Sequence, residues 1–220
     1  MKLSPFAIVL IAALLAVAAW SLVSPLPFKT WFLEVAPAIM GGAAIAVAYF
    51  RFGFAFTRLV CVLLALHAVI LMVGGKYTYA ENPLFEWIKE ALGLARNHYD
   101  RLGHFAQGFI PALVVREILL RASPLKPGKW LFFIVASICL AVSAFYELVE
   151  WWVAVGTGGD DQTAIDFLGT QGDVWDAQWD MCMCLIGAIT SQLALGRLHD
   201  RAIARRLCSA TTPSARTPLN

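Results

Sequence analysis

The chain has 220 residues, of which 60% are hydrophobic and only 15% are charged. Its mean hydropathy of +0.69 excludes an ordinary soluble domain, in which roughly half of the residues are apolar. The net charge of +2 gives no indication of a nucleic-acid partner. The composition therefore indicates an integral membrane protein.

Six apolar segments are long enough to cross a bilayer as helices, since a hydrocarbon core about 30 Å thick requires roughly 20 apolar residues. The segments cover residues 4–23, 33–50, 56–74, 102–121, 130–155 and 179–197. They predict an all-α, polytopic membrane helix bundle with about six transmembrane helices. We expect one bundle domain over residues 1–200 and a polar C-terminal tail over residues 201–220.

The first segment has two interpretations. Its apolar stretch contains Ala16-Val17-Ala18, which resembles the cleavage site of a secretory signal. The apolar run is longer than the core of a usual signal, and we therefore favour a retained transmembrane helix. Cleavage would leave five spans and the same position for the C-terminus.

Two connections between the spans are long. The segment at about 76–100 carries apolar residues at helical spacing, which predicts a helix lying on the membrane surface. These residues are Leu84, Trp87, Ile88, Ala91 and Leu92. The connection over residues 156–178 is polar and rich in glycine, which predicts a loop.

The basic residues predict the orientation of the bundle. Most of the 17 lysines and arginines fall on one side, and the positive-inside rule makes this side and both termini cytoplasmic. Most of the acidic residues then lie on the outer side, among them Glu34, Asp100, Glu147 and Glu150. Orientation does not require this acidic asymmetry, and we take it as an indication of function.

Ionisable residues of the predicted spans share one depth near the outer ends of the helices. Each is costly at membrane depth unless it is paired, hydrated or bound to an ion, and each is therefore a functional candidate. The residues are His67, Asp100, His104, Glu147, Glu150, Asp176 and Asp180. Three pairs, Asp100 with His104, Glu147 with Glu150, and Asp176 with Asp180, are spaced to share one helix face.

Carboxylates and imidazoles gathered in a bundle core suit a divalent metal ion, and without a cation or protons the acids would repel one another. The predicted metal ligands are His67, His104, Glu147, Glu150, Asp176 and Asp180. The predicted catalytic residues are Asp100, His104, Glu147 and Glu150. The ligand types suit zinc, manganese, iron, magnesium or calcium, and the sequence does not choose among them.

Structural roles are alternatives for several residues. Arg96 and Arg101 suit pairing with Asp100 or with lipid phosphates. His67 suits a hydrogen-bonded core position as well as a ligand position, and a hydrogen bond alone would explain the spacing of His104 from Asp100. Small residues at Gly41-Gly42 and from Gly187 to Ser191 favour close helix packing.

Four phrases resemble the YjdF family of uncharacterised bacterial inner-membrane proteins. They are GGKYTYAENP (residues 74–83), RNHYDRLGHFAQGFIPALVVRE (96–117), SAFYELVEWWVA (143–154) and DFLGTQGDVWDAQWDM (166–181). The resemblance covers most of residues 5–200 and implies a multi-pass protein of the bacterial inner membrane. It implies no reaction.

A more distant similarity links the chain to VanZ-like membrane proteins. It rests on Asp100-Arg101-x-x-His104, on Glu147 and on Asp176, although Asp180 stands where those proteins usually have asparagine. The VanZ-like proteins do not supply a reaction either.

Three classes of function fit these observations. The first is a metal-dependent enzyme that acts at the outer leaflet on a lipid or lipid-linked substrate, with membrane lipids as its surroundings. The second is a protein that binds a lipid or a partner without chemistry, and the third is a proton- or cation-coupled transporter. The enzyme ranks first and the transporter last, because the middle of the predicted spans is almost wholly apolar.

Overall fold

The computed structural model describes residues 3–23, 25, 28–157 and 162–211. Within these residues it contains eight helices and no strand, which confirms the all-α prediction. The helices are α1 (Pro5–Leu22), α2 (Phe28–Phe52), α3 (Arg58–Tyr77), α4 (Pro83–Leu92), α5 (Tyr99–Ala122), α6 (Lys129–Gly156), α7 (Gln162–Leu168) and α8 (Asp176–Thr211).

Five of the described helices are long and apolar enough to cross a membrane, namely α1, α2, α3, α6 and α8. They confirm a helical membrane bundle. The remaining predicted span, residues 102–121, corresponds to α5, which has 24 residues and is about 36 Å long. Charged residues at both of its ends, Asp100 and Arg101 at one and Arg116, Glu117 and Arg121 at the other, make it less apolar than the five.

Helix α5 lies at the centre of the bundle and packs against α8, α6 and α3. Its backbone approaches α8 closely, because a Cβ atom at Gly108 would overlap the carbonyl of Cys184 and one at Gly187 would overlap the carbonyl of Phe105. The prediction of close packing is therefore confirmed at Gly187. It is wrong for Gly41 and Gly42, where a Cβ atom would meet nothing within 4 Å.

An apolar core separates the two ends of the bundle. It includes Ala112 of α5, Val135 and Cys139 of α6, and Cys184 and Ala188 of α8, all of them buried. Along α5 this layer lies between the polar residues near Asp100 and those near Glu117. The bundle therefore has two polar regions, one at each end of its central helix.

Helix α4 begins after Asn82, whose side chain accepts hydrogen bonds from the backbone of Leu84 and Phe85. It exposes the apolar side chains of Leu84, Trp87 and Leu92. The structure thus contains the amphipathic helix that the spacing predicts. Its location on the membrane surface stays a prediction.

Helix α7 occupies part of the connection that was expected to be a loop, and for residues 162–168 that expectation is wrong. Ala164 and Phe167 lie three positions apart on this helix, and both are buried. Helix α7 packs against both α6 and α2. Residues 158–161 lie outside the described part of the chain.

The last helix continues past residue 200 and ends at Thr211. Residues 212–220 lie outside the described part of the chain. The division into one bundle domain and a polar tail stays a prediction.

Candidate functional site

The predicted site residues converge on the α4-side end of the bundle. The Nε2 atom of His104 lies 3.5 Å from Oδ1 of Asp100, and its Nδ1 atom lies 3.7 Å from Oε1 of Glu147. His67 and Glu150 line the same cavity as Asp100 and His104. Side chains from α3, α5 and α6 therefore meet in one place, as the shared depth predicts.

Three residues have the geometry of a metal site. Asp100, His104 and Asp180 are buried, and each offers a ligand atom within 4.8 Å of the other two. Ligand atoms bound tetrahedrally to an ion at about 2.1 Å lie about 3.4 Å apart, so that the group would have to contract by up to about 1.4 Å to hold an ion. Asp100 belongs to this group, although the sequence predicts it as a catalytic residue and not as a ligand.

The orientation of His104 suits metal ligation. Its Nδ1 atom lies 3.0 Å from Oε1 of Gln107, and because an amide oxygen only accepts, Nδ1 carries the hydrogen. The Nε2 atom faces Oδ1 of Asp100 at 3.5 Å, where an ion would replace its hydrogen. Gln107 thus orients the imidazole, as residues behind metal-bound histidines commonly do.

Two carboxylate oxygens in this region have no hydrogen-bond partner. They are Oδ1 of Asp180, whose side chain is almost wholly buried, and Oε1 of Glu147. Nearly all buried polar atoms of native proteins have a partner, since an unpaired buried charge is costly. A cation or a bound proton would satisfy these oxygens.

Arg96 neutralises a different part of the region. It lies just before α5, is 6% exposed and donates a hydrogen bond to Asp176. Its guanidinium also lies 3.5 Å from Asp173 and 3.6 Å from Asp100. Burial disfavours the charge of Arg96, but the hydrogen bond and ion pair with Asp176 outweigh burial and raise its pKa.

This pairing separates Asp176 from the other predicted ligands. Asp176 is held by Arg96 and stands outside the group formed by Asp100, His104 and Asp180. Arg101 donates to Asp173, with a distance of 2.8 Å. The predicted pairing with Asp100 is therefore confirmed for Arg96, whereas Arg101 pairs with Asp173 instead.

The cavity has a volume of about 50 Å³. A site for one water needs about 10–15 Å³ of such space, so that the cavity can hold an ion with a few waters or a small polar group. Its polar lining comes from α2, α3, α5 and α6, and the aromatic rings of Tyr79, Tyr146 and Phe167 form much of the rest.

Residues 6–201 match the family described as "Predicted membrane protein (DUF2238)". The chain belongs to this family. It is 49% identical to "Inner membrane protein YjdF" of Escherichia coli (strain K12) over 176 residues, which cover 80% of this chain and 82% of that protein. No solved structure matches the chain.

These comparisons confirm the resemblance to the YjdF family that the four phrases indicate. The DUF2238 protein described here is a multi-pass protein of the inner membrane. The comparisons name no substrate, metal or reaction, and the chemistry must be argued from the site.

Glu34 is one of two residues of this site that the sequence analysis does not identify. It is 5% exposed and lines the cavity from α2. The available signal was a single acid inside the apolar stretch TWFLEVAP, which has no second ionisable residue at helical spacing. Gln107 was missed as well, although it lies three positions after His104.

Several acids of this region of the DUF2238 protein have no basic partner, unlike the acids of an ordinary ion-pair network. Within the described residues, Glu34, Glu147, Glu150 and Asp180 form no ion pair with a lysine or arginine, whereas the acids around Arg96 and Arg101 do. The unpaired acids and His104 therefore form the part of the region that can hold a cation.

Proposed function

We propose that this protein is a divalent-metal-dependent enzyme that acts on a lipid or lipid-linked substrate at the outer face of the inner membrane. The observation that carries the proposal is the buried group of Asp100, His104 and Asp180, whose ligand atoms lie within 4.8 Å of one another. The unpartnered Oδ1 atom of Asp180 supports a cation at this position.

The proposed topology has six spans, which are the five long apolar helices and α5, and both termini are cytoplasmic. Helix α5 has the length of a span and lies among α3, α6 and α8. The charges at its ends are buried in ion pairs, for example that of Arg121 with Glu117 at 2.7 Å, which lowers their cost in a membrane. In this topology the site faces the periplasm.

A divalent ion at this site would lower the pKa of a bound water, which could then attack a phosphate, ester or amide. Asp100 and Asp180 would supply negative charge to the ion, and Gln107 would hold the imidazole of His104 in place. The unpartnered oxygen of Glu147 lies 3.7 Å from the imidazole of His104 and would accept the proton of the water. Glu150 lines the cavity beside it and would share that proton.

Binding of a lipid or partner without chemistry is the second candidate. It is favoured by the ion pairs of Arg96, which satisfy Asp173 and Asp176 without any ligand. Proton- or cation-coupled transport ranks third, since the apolar layer around Ala112 and Cys184 offers no path to the cytoplasmic end.

The first experiment is metal analysis of the purified full-length protein after incubation with zinc, manganese or magnesium. The wild type should retain a stoichiometric divalent ion, which Asp180→Asn should lose. The matched control is Glu90→Gln, which removes an exposed acid from α4 and should retain the ion. A wild type that binds none of the ions after dialysis would refute the metal site.

The second experiment tests catalysis. The metal-loaded protein is incubated with a bacterial lipid extract, and the lipids are followed by mass spectrometry. We expect a product that forms with the wild type and is absent with Glu147→Gln or after chelation. Retention of an unchanged lipid without any product would favour the binding protein over the enzyme.

A further inference from the structure

The wall of the cavity formed by α2 carries an acid that the proposed metal site does not use. This residue, Glu34, is only 5% exposed, and it lines the cavity. It forms no hydrogen bond or ion pair within the described residues. A buried carboxyl group without a partner, at the edge of an open space, indicates a ligand of opposite charge.

A second acid faces the same space. Glu150 of α6 lines the cavity together with Glu34. Glu34 and Glu150 each lie about 9 Å from the outer end of their helix, so that they are at one depth. Acids on two walls of a small, poorly hydrated cavity attract a cation more strongly than they would in water.

The aromatic residues restrict which cation fits best. Tyr79, Tyr146 and Phe167 line the cavity beside the acids. Carboxylates combined with aromatic ring faces are the surroundings in which proteins bind ammonium groups. A primary ammonium group fits within about 50 Å³ and can donate three N–H hydrogen bonds to carboxylates, whereas a trimethylammonium group has no donor.

The surrounding helices indicate how such a group could enter. Helix α7 covers the cavity on its outer side, where the ring of Phe167 packs edge-on against Tyr146. This helix contacts both α2 and α6, but no extensive packing joins α2 directly to α6 in the described part of the chain. A headgroup from the bilayer would therefore enter between α2 and α6.

We infer that the cavity binds the primary ammonium group of an aminolipid headgroup, with Glu34 as its counter-ion. This inference rests on the proposed function, because it names the class of lipid that would be held beside Asp100, His104 and Asp180. Entry between α2 and α6 would leave the acyl chains in the bilayer. Glu34 is a binding residue in this arrangement and takes no part in metal ligation.

Calorimetric titration of the purified full-length protein in detergent tests the inference. The probes are short-chain phosphatidylethanolamine, the phosphatidylglycerol and phosphatidylcholine with the same chains, and free ethanolamine. The wild type should bind phosphatidylethanolamine at least ten-fold more tightly than either other lipid. Binding of free ethanolamine with equal affinity would identify a soluble amine as the source of the ammonium group, and weaker binding would identify the lipid.

Two variants test the role of the cavity. Glu34→Gln should weaken phosphatidylethanolamine binding at least ten-fold, whereas Glu90→Gln on the exposed side of α4 should change it less than two-fold. Leu71→Phe fills the cavity from α3 without removing a charge and should also abolish binding. Its control is Leu66→Phe on the same helix, at a position that is 51% exposed.

Each outcome separates this inference from the proposed metal site. Glu34→Gln should retain the metal content of the wild type, and the titrations are repeated on metal-free protein. Equal binding of phosphatidylethanolamine and phosphatidylglycerol, or unchanged binding in both Glu34→Gln and Leu71→Phe, would overturn the inference. If the protein binds no metal, the titrations on metal-free protein still test whether the cavity binds the lipid.

Discussion

The two polar regions of the bundle use the same residue types on the same two helices and differ in one respect. At the end that the proposed topology places towards the cytoplasm, called the inner end below, α5 and α8 place Glu117 beside His199, with 3.1 Å between Oε2 and Nε2 and no exposure of either side chain. At the opposite end, called the outer end below, the same helices place Asp100 and His104 beside Asp180. The inner acid has a full set of hydrogen-bond donors, whereas the outer acids do not.

The inner region is complete without a ligand. Glu117 accepts hydrogen bonds from the backbone and the hydroxyl of Thr57, from Arg121 and from His199. Arg116 only donates, so that Nδ1 of His199 accepts from it and Nε2 donates to Glu117. Every strong acceptor in this network is used, which is typical of a structural element.

In the outer region, by contrast, several acids lack hydrogen-bond donors. Asp180 and Glu147 keep buried oxygens without a donor, and Glu34 has no partner among the described residues. The comparison teaches that buried charge alone does not indicate a ligand site. A buried charged group without a hydrogen-bond or ion-pair partner does indicate one, because no contact within the protein offsets the cost of removing that group from water.

The largest effect should come from breaking the inner network. Glu117→Gln replaces an acceptor with an amide whose NH₂ group faces donors, and removing one partner of a buried pair costs roughly 3–5 kcal/mol. We expect a corresponding loss in the free energy of unfolding in detergent, with the metal content unchanged. Asp200→Asn, which removes a half-exposed partner of Arg116, is the control and should cost about 1 kcal/mol or less.

The next effect should come from Arg96, the paired part of the outer region. Arg96→Gln leaves Asp176 and Asp100 without their guanidinium, and we expect a loss of about 2–4 kcal/mol in the free energy of unfolding. Adding Asp176→Asn should restore part of this loss, as a double-mutant cycle measures. Strict additivity of the two changes would mean that the ion pair does not stabilise the fold.

Asp180 should behave in the opposite way. Because its buried Oδ1 atom lacks a donor, Asp180→Asn should raise the free energy of unfolding of metal-free protein by about 1 kcal/mol. With metal present the wild type should be the more stable of the two, since only it gains from binding. A less stable variant in metal-free buffer would place Asp180 with the structural residues of the inner end.

The smallest effect should come from an exposed ion pair, which serves as a baseline. The hydrogen bond from Lys89 lowers the pKa of Glu86 on α4. A lowered pKa in the folded protein stabilises it above the ordinary value of 4.5, and this gain disappears as the pH falls through the lowered pKa. Glu86→Gln should therefore cause a slight loss of thermal stability at neutral pH and none in strong acid.

Much of the outer site follows from local sequence. Asp100 and His104 are four positions apart on one helix, and this spacing alone brings them within 3.5 Å. The depth of Glu147 and Glu150 follows from the end of α6. Arg96 could not be matched to Asp176 in this way, because 80 residues separate the two and only the packing of α5 on α8 joins them.

Packing also decided the residues that were missed or misjudged. Glu34 reaches the cavity because α2 lies against α3 and α7, which no periodicity in α2 indicates. Gly187 faces the backbone of α5, whereas Gly41 and Gly42 face open space, although both sites are small residues in apolar helices. Glycine permits a close approach but does not specify which helix approaches.

The sequence by itself determined the membrane bundle, its family and the depth of its acids, because hydrophobicity and helical spacing are properties of neighbouring residues. Only the tertiary structure decided which acids are neutralised by arginine and which are left without a partner. Hydrogen bonding of a buried group depends on atoms brought from distant helices, and the difference between the fully paired inner end and the partly unpaired outer end arises at that level.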